Sequence, residues 1–513
     1  MSELELKFRI PDAMLDSLRL ALRTHGAKRT RLRARYFDTA DGLLARHLIA
    51  LRLRLEGRRW VQTLKAAGAG AVHRLEHEVC VPGTAAVVPE LDLRLHDGSE
   101  AGLVLQAALQ SEPGAVLLER HATDIVRLHC VLQTPSASQV EVALDIGRAM
   151  AGTNWVPIVE LELEHKGGPV HGLFDLACAW VQHGGLWLCS ITKAERGQRL
   201  VEPQAKTPAL KTSRPQLTVS ADGPALMRAL LQATLAQVLA AASEVAEGDT
   251  AADTIHQLRV ALRRLRTVLR ELSALFEPSA GISAAWDAAL SQTFGQLGQT
   301  RDQQAVTAAV HPLLQAAGAP RLRWQAPTAT EPAGAVREPD FQTTLVQILA
   351  LAHAGPDSFT PLSPQQAMAL LAGRLDKLHR QVAREGSRFP KLPIEQQHRV
   401  RKRLKRLRYL IDLTAALWFE RAVKRDVKRD VKRDVKRDIK RDIKRYLKRL
   451  SAAQAALGLH NDVAVAAEAF RTDAAAHPDA WFAAGWLQAH QAVTARSAHK
   501  ALLKVAEGGK FWN

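Results

Sequence analysis

The sequence has few of the features that mark secreted or membrane proteins. Its four cysteines, Cys80, Cys130, Cys178 and Cys189, lie far apart and form no C-x-x-C pair. This spacing argues against a disulfide scaffold or a zinc site and is typical of a reducing cytoplasm. No segment holds eighteen consecutive apolar residues, and the N-terminus has no apolar run behind a basic start. We therefore expect a cytoplasmic protein without a signal peptide or a membrane span.

Net charge is distributed very unevenly along the chain. Residues 1–205 contain 24 Lys and Arg against 24 Asp and Glu, whereas residues 206–513 contain 46 against 28, an excess that equals the whole net charge of +18. The boundary falls in a stretch with three prolines, Pro203–Gln216, which is typical of a linker. The cationic half favours a polyanionic partner. With 513 residues to divide, we predict one domain at 1–202, a linker at 203–216 and a second domain at 217–513.

Charged and apolar residues alternate in at least six segments of the first 200 residues. In "ELELKFRI", from Glu3 to Ile10, every second side chain is charged, so the charged side chains share one face of a strand. Such alternation predicts an antiparallel sheet with one apolar and one charged face. It recurs in "ALRLRLEG" (Ala50–Gly57), "WVQTLK" (Trp60–Lys65), "HRLEHEV" (His73–Val79), "QVEVALDIG" (Gln139–Gly147) and "IVELELEH" (Ile158–His165).

The charged faces are expected to point into an enclosure. A solvated outer face would explain any one strand, but acidic and basic strands are separate here, whereas a merely soluble face mixes both signs. Two amphipathic segments, Pro11–Gly26 and Gly168–Gly185, end in glycine like capped helices and can cover the apolar backs. Enclosed carboxylates need a divalent cation, and enclosed Arg and Lys need a multivalent anion. A metal-bound polyphosphate compound satisfies both.

The opening "ELELK" resembles the E-x-E-x-K signature of CYTH domains, the triphosphate tunnel metalloenzymes. The segments "RYFDT", "ALRLR", "TLK", "RLEHE", "EVALDIG", "VELELE" and "SITKAERG" follow in the order of that family and span nearly all of residues 1–200. The resemblance implies an α+β fold for the chain, with an N-terminal eight-stranded antiparallel β-tunnel and covering helices. It also implies that the tunnel binds triphosphate compounds with Mg²⁺ or Mn²⁺.

The resemblance also implies roles for individual residues. The catalytic residues are then Glu3, Glu5 and Lys7. The metal ligands are Glu3, Glu5, Glu141, Asp145, Glu160 and Glu162. The phosphate-binding residues are Lys7, Arg52, Arg54, Lys65, Arg120, Lys193 and Arg196. The acidic pair Glu76 and Glu78 receives no role.

The expected activity is metal-dependent hydrolysis of inorganic triphosphate or a similar linear triphosphate. Phosphoryl transfer needs positioning and neutralisation of charge more than covalent chemistry, and the collected charges would supply both. Tunnels of this type also host adenylate cyclases and thiamine triphosphatases, so these activities are alternatives. A further alternative is a catalytically idle tunnel in a protein that serves as a polyphosphate-binding scaffold.

One basic motif occurs twice in the second half of the sequence. Ile255–Arg270 and Gln397–Leu410 share the pattern H-x-x-R followed by Arg or Lys on the same helical face, and the first contains no acidic residue after its histidine. Leu258, Leu262, Leu265 and Leu269 are predicted to form the buried stripe behind the first basic face. The motifs are followed by the matching segments "LGQTRD" (Leu297–Asp302) and "LGLHND" (Leu457–Asp462). An internal duplication of helical units explains this.

This pattern resembles the CHAD domain, an all-α module of two similar helical bundles, over residues 217–513. The family is associated with binding inorganic polyphosphate, and a row of Arg and Lys is suited to a phosphate chain because it displaces counterions. Nucleic acid is the competing polyanion, but few aromatic residues interleave the basic faces. Polyphosphate granules are then one expected location of the protein. The residues implied in binding are His256, Arg259, Arg263, Arg266, Arg270, His398, Arg401, Lys405 and Arg408.

A low-complexity run of V-K-R-D tetrads occupies residues 423–446. The distance from His398 to Leu457 exceeds that from His256 to Leu297 by 18 residues, which roughly matches the run. It is therefore interpreted as a repeat expansion within one helix of the second bundle, not as an additional anion site. The run is predicted to form a long charged helix that projects from the bundle, because a four-residue repeat drifts around the helix and cannot face one flat core.

Overall fold

The computed structural model of the chain describes residues 2–68, 72–203, 215, 217–276, 284–320, 331–425, 432–475 and 477–512. These residues form two compact units. The first comprises Met1–Ser213, Leu231–Ala261 and Pro332–Ala354, and the second comprises Arg214–Leu230, Leu262–Glu331 and Gly355–Asn513. Most of the predicted linker lies outside the described residues, and the domain boundaries drawn from the sequence stay a prediction.

The first unit is built on a nine-stranded antiparallel sheet. Its hydrogen-bonded order is β5-β4-β3-β2-β6-β7-β8-β1-β9, and β1 also pairs with β5, so that the first eight strands close into a ring. The predicted eight-stranded tunnel is thus confirmed, with a two-residue ninth strand added beside β1. The strands are β1 (Ser2–Arg9), β2 (Lys28–Asp38), β3 (Ala50–Glu56), β4 (Arg59–Ala67), β5 (His73–Val81), β6 (Leu118–Gln133), β7 (Gln139–Ala151), β8 (Asn154–Gly167) and β9 (Trp187–Leu188).

Five helices accompany the sheet. Leu6 and Phe8 on the outer face of β1 are buried, and Glu5 and Lys7, which alternate with them, face the interior, as the pattern predicts. The second predicted covering helix ends at Gly185, where a left-handed backbone with φ of +60° favours a residue without Cβ. The helices are α1 (Leu15–Thr24), α2 (Leu43–Arg46), α3 (Glu100–Ser111), α4 (His171–Gly184) and α5 (Lys193–Val201).

The remaining described elements are helical apart from one isolated β-bridge and short 3₁₀ turns. The leucine stripe predicted behind the first basic motif is confirmed, since all four of its leucines are buried. In the second motif Val400, Leu404, Leu407 and Ile411 are fully buried at the same helical spacing. The helices are α6 (Gly223–Ala246), α7 (Ala252–Glu271), α8 (Ala284–Ala316), α9 (Pro332–Arg337), α10 (Pro339–Ala352), α11 (Pro364–Gly386), α12 (Ile394–Arg425), α13 (Lys432–Asp473) and α14 (Ala480–Ala506).

The tetrad run lies partly outside the described residues. Helix α12 ends at Arg425 and α13 begins at Lys432, so residues 426–431 fall between the two described helices. Near the C-terminal end of the run, Arg441 pairs with Asp438 at 3.1 Å and Arg445 pairs with Asp442 at 3.3 Å. These exposed pairs three residues apart give only modest local support to the helix.

One described helix has the length and apolar composition of a membrane span. It is α6, and 72% of its most apolar window is buried inside the fold. Burial of that extent is what a core helix shows, and the apolar composition of α6 is explained by packing.

Candidate active site

The interior of the tunnel is a cavity of about 440 Å³, and half of its lining residues carry a charge. The acidic side chains come from five strands, and the basic ones come from five strands and α5. The lining acids are Glu5, Glu56, Glu76, Glu78, Glu141, Asp145, Glu162 and Glu164. The lining bases are Lys7, Arg52, Arg54, Lys65, Arg127, Lys166 and Lys193. Charges of both signs are therefore gathered on the inside of the ring.

Three carboxylates form a compact group that we call the carboxylate cluster. Asp145 on β7 lies directly opposite Glu160 on β8, and Glu162 is two residues further along the same strand, on the same face. One oxygen atom from each lies within 4.8 Å of the others, and Asp145 and Glu160 are fully buried. Antiparallel register thus places three predicted metal ligands together.

Two cationic side chains contact the carboxylate cluster. The Lys193 ammonium, from the first residue of α5, lies 2.8 Å from Asp145 Oδ2 and 2.5 Å from Glu162 Oε1, and it also pairs with Glu160. Arg127 on β6 donates to both Asp145 oxygens at 2.7 and 2.6 Å and to Glu162 at 2.5 Å. Lys193, a predicted phosphate ligand, thus occupies the centre of the cluster.

These neighbours determine the protonation of the cluster. Burial alone would raise the pKa of Glu162, but Lys193 and Arg127 outweigh it and hold that pKa well below its usual range. The pKa of Asp145 is lowered in the same way, against its own burial. Burial lowers the pKa of Lys193, yet the three carboxylates raise it well above its ordinary value. All these groups are charged at neutral pH.

A second row of carboxylates crosses three strands. Glu5 on β1 lies opposite Glu164 on β8, which in turn lies opposite Glu141 on β7. Like charges in directly opposite positions destabilise a sheet, so this row needs cationic partners. Lys166 supplies one, at 2.6 Å from Glu164 and 3.3 Å from Glu141, and His129 Nδ1 lies 3.4 Å from Glu141.

Arg52 and Arg54 on β3 and Lys65 on β4 form what we call the basic wall. Burial and the charge of Arg52 lower the pKa of Arg54, because two guanidiniums lie close together. Glu78 lies 3.1 Å from Arg54, and Glu76 lies 2.5 Å from Lys65. The acidic pair that the sequence left without a role therefore partners the basic wall.

The structure places two predicted phosphate-binding residues away from the lining and leaves the side chain of one predicted metal ligand undescribed. Arg196 and Arg120 are absent from the described lining of the tunnel. Arg196 donates to Glu247 at 3.2 and 3.0 Å, and Arg120 lies 3.8 Å from Glu202. Glu3 belongs to β1, but its side chain lies outside the described part of the structure. Their roles in binding phosphate or metal stay predictions.

Sequence reasoning missed Arg127 and Tyr36, which both line the tunnel. On β6 the inward positions mix apolar and charged residues, Ile125 before Arg127 and His129, so the simple alternation that revealed other strands is broken there. On β2 the charged residues lie on the opposite face. The arginines of "RTRLRARY" point outward, and Tyr36 is one of the uncharged residues that line the cavity. Arg127 could have been predicted by looking for a basic residue that pairs with the acidic residues of β7.

The carboxylate cluster fits a divalent cation such as Mg²⁺ or Mn²⁺. Carboxylate oxygens are the ligands that these hard cations prefer. Glu160 Oε2 is buried and accepts no hydrogen bond from any described residue, so the cluster retains an oxygen with unused capacity. Three carboxylates within 4.8 Å satisfy the spacing of such a site.

The predicted polyphosphate-binding residues lie on α7 and α12. On α7 Arg259 is buried, whereas Arg270 is exposed and Arg266 lies 2.9 Å from Asp287. The remaining members of this set are half-buried: His256, Arg263, His398, Arg401, Lys405 and Arg408. Burial, reinforced by Arg401 and Lys402, lowers the pKa of His398, which is therefore neutral at pH 7. The side chains of residues 299–302 in the first matching segment lie outside the described part.

Family models match both halves of the chain. Residues 1–197 match the CYTH domain, and residues 229–432 match the CHAD domain. An inorganic triphosphatase from Haemophilus influenzae is 30% identical over 175 residues, which cover 34% of this chain and 46% of that protein. The chain thus spans less than half the length of this curated relative.

Two solved structures are similar at low identity. The CHAD domain from the plant Ricinus communis is 21% identical, with a TM-score of 0.41 over 58% of this chain and 96% of that one. A proposed adenylyl cyclase from Hippeastrum with a dominant triphosphatase activity is 18% identical, with a TM-score of 0.24 over 36% of this chain and 89% of that one. TM-scores of this size carry no argument about function, so the family matches decide the assignment. Residues 1–197 are thus similar to a CYTH domain, and residues 229–432 are similar to a CHAD domain.

Proposed function

We propose that the tunnel hydrolyses inorganic triphosphate in a reaction that depends on Mg²⁺ or Mn²⁺. The observation that carries the proposal is a single cavity of about 440 Å³ whose lining includes the basic wall together with Asp145 and Glu162 of the carboxylate cluster. A cavity of this size is suited to a small molecule. The likeness of the CYTH domain to an inorganic triphosphatase supports the same activity.

The basic and the acidic residues of the cavity have different roles. Arg52, Arg54 and Lys65 bind the phosphate oxygens and neutralise the charge that develops on them during transfer. Asp145, Glu160 and Glu162 hold the divalent cation, which when bound polarises a phosphoryl oxygen. Partial exclusion of bulk water strengthens the interactions at Arg52 and Asp145, which are the buried charged residues of the described lining.

The lining favours a bare phosphate chain over a nucleotide. Tyr36 is the one tyrosine, tryptophan or phenylalanine among the described lining residues. Its ring already stacks on that of His121, with 4.6 Å between the ring centroids. A purine would need an aromatic or apolar face on which to stack. The charged lining supplies contacts for phosphate oxygens instead.

We further propose that the basic helices bind inorganic polyphosphate. From His256 to Arg270 the sequence of α7 has no acidic residue, and α12 repeats the basic pattern. Each phosphate that an Arg or Lys neutralises releases a counterion, which supplies the free energy of binding and makes it depend on salt.

The activity is tested with the full chain and tripolyphosphate, with Mg²⁺, Mn²⁺ or EDTA. We expect phosphate release with at least one metal and none with EDTA. ATP is tested in parallel for cyclic AMP, and thiamine triphosphate for phosphate release. No release from tripolyphosphate with either metal, or cyclic AMP as the main product, would overturn the proposal.

Binding of polyphosphate is tested by competition. Long-chain polyphosphate carrying a fluorescent label is bound to the full chain and challenged with duplex DNA at equal phosphate concentration. We expect the DNA to leave the labelled polyphosphate bound. Displacement by DNA would assign the basic helices to nucleic acid.

A further inference from the structure

Helix α5 is held from behind by two glutamates of the segment Leu231–Ala261, which belongs to the first unit. Arg196 donates to both oxygens of Glu247, at 3.2 and 3.0 Å. One turn further, Arg199 donates to both oxygens of Glu244, with one contact at 3.0 Å. Bidentate guanidinium–carboxylate pairs fix geometry as well as adding energy. We call these the two rear pairs.

Other contacts join the same segment to the tunnel. The Ser190 amide donates to Ser243 Oγ at 2.8 Å, and Arg9 Nε on β1 lies 3.0 Å from Glu247 Oε1. Leu239 is itself part of the cavity lining. The segment is therefore a structural part of the tunnel, although it follows the linker in sequence.

The front of α5 carries Lys193. Thr192 and Glu195 cap the helix reciprocally, so its first turn is well fixed. A short capped helix moves as one body, and the rear pairs at Arg196 and Arg199 lie within two turns of Lys193. Whatever fixes the back of α5 fixes the backbone position from which the Lys193 side chain reaches the carboxylate cluster.

We propose that Glu244 and Glu247 are positioning residues that hold Lys193 inside the carboxylate cluster and thereby weaken the binding of a divalent cation there. The ammonium occupies oxygens of Asp145, Glu160 and Glu162 that a cation needs, and two cations repel each other at such distances. The inference rests on the proposed metal dependence of the tunnel. Lys193 then competes with the metal for the carboxylate oxygens, and the two rear pairs keep Lys193 in place.

The test is a Mn²⁺ titration of the metal-free full chain without substrate, followed by electron paramagnetic resonance of free Mn²⁺. Lys193→Met is expected to lower the Kd for Mn²⁺ about tenfold or more, since a charge in contact with ligands shifts their affinity by at least this factor. Glu247→Gln and Glu244→Gln are expected to lower it about threefold each, because the lysine is loosened and not removed.

The decisive measurement is the Kd for Mn²⁺ of the double variant that combines Glu247→Gln with Lys193→Met. If Glu247 acts through Lys193, the double variant has the Kd of Lys193→Met alone. A further change of Kd on adding Glu247→Gln would overturn the inference, as would an unchanged Kd in both glutamine variants. The matched control is Asp124→Asn, which breaks the bidentate pair with Arg31 on the outside of the same sheet and is expected to leave the Kd unchanged.

Two further measurements keep the result interpretable. Circular dichroism checks folding, and Glu247→Asp, which keeps the charge but shortens its reach, is expected to move the Kd in the same direction by less than Glu247→Gln. Absence of Mn²⁺ binding in both the wild type and Lys193→Met overturns the inference together with the proposed metal dependence. Mn²⁺ binding with the expected pattern, but no hydrolysis of tripolyphosphate, overturns the proposed activity alone and leaves the inference standing.

Discussion

The tunnel and the basic helices use charge in opposite ways. Inside the tunnel Lys193 and Arg127 are each within 2.8 Å of a buried carboxylate, so bases and acids already neutralise one another. On α7 and α12 the basic side chains are mostly half-buried or exposed and are arranged in rows of one sign. A ligand of the tunnel must exchange buried ion pairs, whereas a ligand of the helices exchanges mobile counterions at exposed residues such as Arg270 and the more exposed partner Asp287 at Arg266.

This difference has a consequence for stability. Removing one partner of a buried ion pair leaves an uncompensated charge and costs about 3–5 kcal/mol. Removing an exposed basic side chain costs little, because water and counterions already solvate it. Substitutions in the tunnel should therefore affect folding and function together, and substitutions of exposed basic residues on the helices, such as Arg270, should affect binding alone.

The largest effect is expected from Glu162→Gln. It leaves both Lys193 and Arg127 short of a charged partner, so the melting temperature of the first unit should fall by roughly 10 °C. Hydrolysis of tripolyphosphate should fall about 100-fold or more, since a proposed metal ligand is lost. Calorimetry and phosphate release measure the two effects.

The matched control combines Glu162→Gln with Lys193→Met. Removing a base together with the acid should recover part of the melting temperature without recovering activity. Full stability in Glu162→Gln alone would show that the ion pairs of the tunnel are not interdependent and would remove the contrast with the helices.

The next effect concerns the basic face of α7. The double variant Arg266→Ala and Arg270→Ala should weaken binding of long-chain polyphosphate about tenfold and lower its salt slope by about 2, with an unchanged melting temperature. Fluorescence titration at several salt concentrations measures this. Arg19→Ala on α1 is the control, and an equal loss of affinity there would show that binding depends on net charge and not on this face.

The sequence predicts the strands of the tunnel because their pattern is simple. Strands that alternate charged and apolar residues are recognised from the sequence, as in β8 with Glu160 and Glu162, and the observed register places these two glutamates on one face. The same logic fails at β6, where Ile125 shares the inner face with Arg127. A mixed inner face has no period that distinguishes it from a loop.

The rear pairs could not be predicted from sequence. Glu244 and Glu247 lie at the end of α6 and just beyond it, on the far side of a proline-containing linker from α5. Their contact with Arg199 and Arg196 depends on how distant segments pack, which no local pattern encodes. The same packing pairs Arg196, which the resemblance assigns to phosphate binding, with the Glu247 carboxylate, and its role in phosphate binding stays a prediction.

A smaller effect is expected from Gly197→Ala on α5. A Cβ at Gly197 would lie 1.9 Å from His121 Cδ2, so α5 must move away from β6. Overpacking of this kind costs about 1–3 kcal/mol, and the shift of α5 should also change the Kd for Mn²⁺. Gly373→Ala inside α11 is the control, because nothing lies within 4 Å of its Cβ position. There alanine should stabilise by about 0.5–1 kcal/mol through helix propensity alone, as chemical denaturation would show.

The smallest effect is a pH dependence that arises at His121. Burial, together with the charge of Arg120, lowers the pKa of His121 to about 4, and neither ring nitrogen has a hydrogen-bond partner among the described residues. The unfolded chain takes up this proton near pH 6.5 and the folded chain only near pH 4, so stability falls as the pH falls between these values and the loss is complete below pH 4.

When the pH falls from 7 to 5.5, protonation of His121 should lower the free energy of unfolding by about 1 kcal/mol. His121→Phe, which keeps the stacking on Tyr36, should abolish this contribution. Melting temperatures of both proteins at the two pH values measure the difference. The paired carboxylates of the tunnel do not interfere, because their pKa values are lowered and their stabilising effect is lost only at more acidic pH. Burial also lowers the pKa of His96 to about 4, so His96 contributes a similar share of the slope that remains in His121→Phe. A slope that is unchanged in His121→Phe would contradict the assignment to His121.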